Sequence, residues 1–296
     1  MGLPAPLINF FLKENQYMPI SGNLLTLGRQ TILCSPQNLA KKLKQFNIRW
    51  DLASATLDRT TTQALSSKEC YIDDNSFFGS FGKINLNVLD ITNYEGATII
   101  HDMGLPVPNE LKNKYDFIFN GSILDNMFDP AQAMRNITEM LSSNGRVLHI
   151  EMASNLAFEY VIFSVDWFLD YYVVNDFHDC TVYVCEFKDV DSLCGGPWQI
   201  FYYNPKADGT AFSLKSLNLT QAVVVVIAEK KPESTSNKSA VQWCYRNDEL
   251  KKNFVAKLQR IKRTRPIYNF SSNKNMDRKK CEIEGFLDCG VITAEK

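Results

Sequence analysis

What the chain lacks narrows its function first. It has only 3 His against 8 Cys, and the cysteines at 34, 70, 180, 185, 194, 244, 281 and 289 form no Cys-x-x-Cys pair. The usual zinc and thiol-redox spacings are therefore missing, no metal site is expected, and the sulfurs read as free thiols in a reducing compartment. No run of about 18 apolar residues occurs, so no membrane span is expected. The N-terminus runs from Met1-Gly2-Leu3-Pro4 to Lys13 and Glu14 without a basic stretch and a cleavable apolar one, so the chain reads as cytoplasmic. Without secretion, Asn136-Ile137-Thr138, Asn218-Leu219-Thr220 and Asn269-Phe270-Ser271 are chance matches to the glycosylation pattern. A net charge of -1 removes whole-molecule attraction to nucleic acid and leaves room only for a local patch. Nothing matches the phosphate loop of Walker-type nucleotide hydrolases, and Leu27-Gly28-Arg29-Gln30-Thr31-Ile32 does not supply the Gly-x-Gly-x-x-Gly of a nicotinamide enzyme. No internal repeat is visible.

What is present is apolar and aromatic. Hydrophobic residues make up 45% of 296, with 19 Phe and 12 Tyr, enough for one large core or a core domain with a smaller appendage. The most informative segment is 114–150. Tyr115–Phe119 is a short apolar run ending at Asn120-Gly121, and Asp129-Pro130 opens a helix whose Ala133, Ile137 and Leu141 recur at helical spacing. Asn144-Gly145 is expected to stop that helix before a second strand, Arg146–Ile150. Strands joined by a helical crossover run parallel, so the fold class is α/β with helices on both sheet faces.

Elsewhere, Leu24–Leu27 is expected as a first strand, and Ser35-Pro36 caps a helix over 37–46. Residues 50–80 are polar, broken by Phe77-Phe78, and read as an insertion, a lid or an irregular surface segment. Leu86–Asp90 and Ala97–Asp102 are strands joined by a link too short for a long helix. Val165–Val174 reads as a helix, Cys180–Phe187 as a strand, 193–203 as a turn and a short strand, and Ala222–Ala228 as a buried strand. The shift to Glu229-Lys230-Lys231-Pro232 and the polar run 234–239 marks the best boundary. Two units follow: residues 1–232, carrying the 50–80 insertion, and 233–296, a polar linker with a basic helical extension at 248–265.

Four successive strand ends carry a small or polar residue: Gly28, Asp90, Asp102 and Asn120-Gly121. In an open α/β sheet ligands bind outside the carboxyl ends of the strands. A ribose diol offers two donors that one carboxylate accepts together, and close backbone approach needs glycine. Over about residues 20–230 the chain resembles class I S-adenosylmethionine-dependent methyltransferases, in particular bacterial proteins whose first strand ends in Leu-Gly-Arg-Gln rather than a full glycine-rich loop. The resemblance is carried by Leu89-Asp90 through Ala97 to His101-Asp102, by Tyr115 through Asn120-Gly121 to Asp125-Asn126 and Asp129, by the helix and Asn144-Gly145-Arg146, and by Val225-Val226 through Lys231. It implies a Rossmann-like, mostly parallel seven-stranded sheet and S-adenosylmethionine as cofactor. Gly28 then approaches the cofactor, Asp90 takes the ribose, Asp102-Met103 flanks adenine and Asn120-Gly121 borders the methionine end. Two departures stand out: Gly28 is alone where the family has a glycine-rich loop, and Asp125-Asn126 replaces the Glu-His frequent in relatives.

A sulfonium methyl is already activated, so placement of the acceptor matters more than a base. Glu151, at the carboxyl end of its strand, is the candidate base or acceptor contact. His149 reads as a core histidine and His178 as a surface one. Phe158, Tyr160, Phe163, Trp167, Phe168, Tyr171 and Tyr172 either pack the core or roof an acceptor pocket. The expected reaction is methylation of a hydroxyl or amine on a small molecule, a sugar among the candidates. The alternative is a weak or inactive methyltransferase-like subunit acting through a protein partner; RNA methylation ranks below both. The positive run Lys251, Lys252, Lys257, Arg260, Lys262, Arg263 and Arg265, with Phe254, Leu258 and Ile261 at helical spacing, reads as a docked basic helix or a surface for an anionic partner.

Overall fold

The computed structural model describes residues 2–154, 159–205, 217, 219–261, 264–270, 282–283 and 285–293. The chain opens with β1 (Gly2–Leu3) and α1 (Ile8–Tyr17), then β2 (Gly22–Leu27), whose residues 24–27 are buried. After β3 (Thr31–Ile32), α2 (Pro36–Gln45) begins as expected: Ser35 Oγ accepts from Asn38 N at 3.2 Å and Pro36 holds the first position. The segment 50–80 contains α3 (Thr62–Ser66) and α4 (Asp74–Gly79). Phe77 and Phe78 are fully buried there, edge-on to Phe11 at 5.6 and 5.7 Å. The segment thus packs into the body instead of forming a detached lid.

The strands β4 (Ile84–Asp90), β5 (Ile99–Ile100) and β6 (Tyr115–Gly121) follow, with a short 3-10 turn at Tyr94–Gly96 as the only link between the first two. α5 (Pro130–Met140) is capped by Asp129, whose Oδ1 accepts from Gln132 N. It ends four residues earlier than the sequence signal suggested. Leu141 is already extended, and β7 (Leu141–Met152) absorbs Asn144 (φ 66°) and Gly145 in a bulge. A Cβ on Gly145 would lie 2.8 Å from the Tyr115 carbonyl oxygen, so this glycine serves strand contact, not helix termination. α6 (Val165–Val174), β8 (Asp179–Phe187), then α7 (Val190–Gly195), a short helix not expected from the sequence, β9 (Trp198–Tyr203) and β10 (Gln221–Glu229) follow.

Among the described residues the main sheet has ten strands, five of them joined by parallel pairing in the order β5-β4-β2-β6-β7. β10 then inserts antiparallel between β7 and β8. In chain order, numbering β2, β4, β5, β6, β7, β8 and β10 as one to seven, this is 3-2-1-4-5-7-6 with the seventh strand reversed. That is the class I methyltransferase-like fold, extended by three antiparallel strands. Central β10 is buried along nearly its whole length, which explains its unbroken Val run. One face of the sheet packs on α5 and α6, the other on α1, α2 and α4.

The expected boundary at 232 does not release a separate extension. Lys230 Nζ donates to the carbonyls of Thr138 (2.8 Å) and Leu141 (2.6 Å). α8 (Asp248–Arg260) buries Phe254 and Leu258 against the α6 side of the core. After β11 (Glu282–Ile283), β12 (Phe286–Ile292) pairs antiparallel with β9. Arg265, counted in the basic run, is buried in an ion cluster with Glu14 (2.8 Å) and Asp179, and Arg146 joins it through Glu14 at 2.6 Å. Lys262, Arg263, Phe158 and Cys281 lie outside the described residues.

Candidate functional site

Register alone gathers the expected site. Leu27 is opposite both Leu89 and Asn120, and Asn120 is opposite His149. Asp90, Gly28 and Gly121 therefore follow one another along the carboxyl edge of β4, β2 and β6, and Glu151 lies on neighbouring β7 one residue beyond the partner of Gly121. The strand order reverses between β2 and β6, the switch point at which such sheets bind ligands.

The ends of β2, β4 and β5 carry the first of the expected site residues. Gly28 has φ 76° and donates its N–H to the Leu89 carbonyl at 2.7 Å, a conformation that favours glycine. The nearest atoms to an added Cβ would be Asp90 Oδ2 and Gln30 Nε2, both at 3.9 Å. Asp90 is half-buried; its Oδ1 caps its own turn through Ile91 N at 2.7 Å, and its Oδ2 is directed to Gly28. Asp102 is exposed, with Oδ1 accepting from Gly104 N at 2.8 Å. Met103 is buried, and its carbonyl accepts from Asn136 Nδ2 at 2.9 Å. Asn136 is itself buried, which removes it as a glycosylation acceptor and makes it the tie between α5 and the 102–105 turn.

The surface of Gly121 is covered. Gln30 is buried, its Nε2 donates to the carbonyls of Leu27 and Gly28 at 3.1 Å each, and its Oε1 has no hydrogen-bond partner among the described residues. A Cβ on Gly121 would lie 2.6 Å from that oxygen. Gly121 is thus glycine because Gln30 lies on it. Next to Gln30, Arg29 is held bidentately by Asp74 at 2.9 and 3.0 Å and donates to the Gly96 carbonyl, tying the 50–80 segment to the loop after β4. Neither role had a sequence signal beyond the adjacency of Gly28, Arg29 and Gln30.

Asn120 and Glu151 are committed to the protein interior. Asn120 Nδ2 donates to His149 Nδ1 at 2.9 Å and to Glu151 Oε1 at 2.5 Å. Glu151 also accepts from Leu124 N and Asp125 N, each at 3.1 Å. Its pKa is raised well above the usual carboxylate range by burial and by the nearby Asp125. It clamps the turn after β6 and presents no oxygen at the surface. His149 is held near pKa 3 by burial, so its ring is neutral, and its other nitrogen meets the Tyr172 hydroxyl at 2.6 Å. Burial also lifts Asp125 to about 6; its carboxylate accepts from Ser122 Oγ and Asn126 Nδ2.

Of the aromatic stretch, Phe163, Phe168 and Tyr172 are core, Trp167 and Tyr171 are half-buried, and Tyr160 is 75% exposed. The stretch is mainly packing, not a continuous roof. His178 donates its backbone N–H to the Glu229 carbonyl at the opposite edge of the sheet, far from the strand ends. No cluster of metal-ligating side chains occurs among the described residues, and no helix among them is long and apolar enough to cross a membrane.

No protein-family model matches the chain, and neither does any curated protein. Solved structures do. A methyltransferase domain of the citrinin polyketide synthase is 10% identical over 77% of this chain and 52% of its own, with a TM-score of 0.39. Phosphoethanolamine N-methyltransferase 2 of Haemonchus contortus, solved with S-adenosyl-L-methionine, gives 9%, 76%, 52% and 0.39. A SAM-dependent methyltransferase of Thermotoga maritima gives 12%, 75%, 92% and 0.34. The chain spans about half the length of the first two. The fold assignment rests on the strand order.

Proposed function

We propose that the protein binds S-adenosylmethionine at the carboxyl edge of β2 and β4 and transfers its methyl group to a hydroxyl or amine of a small molecule. The observation that carries this reading is the pair Gly28–Asp90: a left-handed glycine beside a carboxylate with one oxygen uncommitted, at the switch point of the sheet. The residues fit the adenosine half. Asp90 would accept from the ribose hydroxyls, and Asp102 with Met103 would border adenine. The methionine half fits once Gln30 turns off Gly121, a move that breaks two hydrogen bonds and leaves no partner of Oε1 behind. When bound, the cofactor supplies an electrophilic methyl group. The chain's part is to orient and to exclude water, and Glu151 serves as a positioning residue that fixes the turn bordering the acceptor. A neutral amine attacks with its own unshared pair and gives its proton to solvent after the transfer, whereas a hydroxyl must lose its proton as it attacks.

Isothermal titration with S-adenosylmethionine tests the reading. Asp90→Ala removes a charged hydrogen bond and is expected to weaken binding roughly ten- to a hundredfold. Unchanged affinity in the folded variant refutes the ribose assignment. A second reading, a methyltransferase-like subunit with little turnover that acts through a protein partner, is favoured by the position of Gln30. No binding at millimolar cofactor by either wild type or Gln30→Ala supports that second reading, and methylated product from an acceptor panel rules it out.

A further inference from the structure

Away from the strand ends, a cavity of about 410 Å³ lies between the first turns of α5 and α6 and the segment 236–242. That size suits a small molecule. Its charges differ in exposure. Asp166 and Asp170, one turn apart on α6, are the inner pair, and the Asp170 side chain is 12% exposed. Arg135 and Lys238 are the outer pair, at 35% and 46%.

The inner charges do not balance. Asp170 pairs with Arg246, whose guanidinium sits 3.7 Å from the centre of the Phe254 ring and leaves Nη1 without a hydrogen-bond partner among the described residues. Asp166 accepts the Tyr203 hydroxyl at 2.6 Å and has no ion pair among the described residues. The outer cations are already engaged, Lys238 by Asp176 at 2.8 Å and Arg135 by Gln132 Oε1. Two carboxyls thus share one guanidinium. Burial raises both, Asp170 to about 7, as expected of acids short of positive partners. The ring of Trp167 lines the same wall, a surface suited to an ammonium group and its apolar stem.

We propose that this cavity binds a small zwitterionic amine, its ammonium between Asp166 and Asp170 beside Trp167 and its anionic end toward Arg135 and Lys238. The site is separate in residues from the one at Gly28 and Asp90.

Three probes of one skeleton separate the charges in isothermal titration without S-adenosylmethionine. Tyramine carries the ammonium alone, tyrosine both charges, and 4-hydroxyphenylpropionate the anion alone. Tyrosine should bind more tightly than tyramine, and the anion alone should not bind at millimolar concentration. Asp166→Asn keeps an acceptor for Tyr203 and should weaken both amines about tenfold or more. Arg135→Gln, on a partly exposed side chain, should remove the advantage of tyrosine and leave tyramine unchanged; this arm decides the question if Asp166→Asn fails to fold. Unchanged amine binding in folded Asp166→Asn, an unchanged tyrosine-to-tyramine ratio in Arg135→Gln, equal binding of the anion, or no binding of either amine would each overturn the proposal. Because no cofactor is present, failure here leaves the reading at Asp90 standing.

Discussion

At the scale of single residues, Gln30 decides how much of the carboxyl edge a ligand can use. Its amide lies on Gly121, and any ligand group that needs that surface must first displace it. A protein whose competent state is only partly populated binds more weakly by that fraction. Gln30→Ala should therefore tighten S-adenosylmethionine binding, by about tenfold if the displaced state costs about 1.4 kcal/mol. Weaker binding in that variant would make Gln30 a ligand contact instead of an obstruction. Asp125 supports a second residue-scale prediction. Its folded pKa is about 6, above the ordinary carboxylate value near 4, so between these values the native state holds a proton that the unfolded chain has lost. The stability from this group is complete below about pH 4 and is lost as pH rises through about 6. Asp125→Asn imitates the protonated acid, so the variant's melting temperature should rise relative to wild type as pH increases from 4 to 7. A constant difference across that range, read by calorimetry, would remove Asp125 from the pH response.

At the scale of elements, the cluster of Glu14, Arg146, Asp179 and Arg265 joins α1, β7, β8 and the chain after α8. All four side chains are buried, and the surrounding positive charge holds the Glu14 carboxyl below its ordinary pKa. Removing one member of such a cluster strands the others, so Arg265→Met should cost about 3–5 kcal/mol. The urea midpoint should drop with an unchanged slope, and a loss under about 1 kcal/mol would show that Glu14 and Asp179 find other partners. This cluster was invisible in the sequence because its members are up to 251 positions apart. The strands β2, β4, β6, β7, β8 and β10 and the helix α6 were legible because their apolar runs are local, whereas the short β1, β3 and β11 and the late β12 carry no such signal. Gly28, Asp90 and Gly121 were legible as strand ends, since register in a parallel sheet brings such ends together. Glu151 was placed correctly at its strand end, but its burial depends on Asn120 and the 124–125 amides, contacts that no spacing rule encodes. Asn144-Gly145 reads as a helix stop in any local rule, and only the approach of Tyr115 shows why the strand needs it.

At the scale of the whole molecule, the chain beyond 232 completes the core. Phe254, Leu258 and Ile261 close one apolar layer, Arg265 neutralises the buried acids on the other side of the sheet, and β12 covers the edge of β9. Lys257, read as part of a charged surface, donates to the Val174 carbonyl at 2.8 Å and to Asp176 at 2.6 Å, so it holds α8 against the end of α6. A protein ending at residue 232 would bare the apolar surface that Phe254, Leu258 and Ile261 cover, leave Asp179 without its guanidinium and Glu14 with Arg146 alone, and present β9 as an unpaired edge. Each of the first two losses is worth several kcal/mol, against a total stability of about 5–15 kcal/mol for a typical domain. The truncated chain should therefore lose its cooperative thermal transition, bind a hydrophobic dye and associate through the bare edge strand. Calorimetry and size-exclusion chromatography on the 1–232 protein check this. A sharp transition within a few degrees of the full chain, in a monomer, would restore 233–296 to the status of an appendage and leave the body as a domain that folds without it.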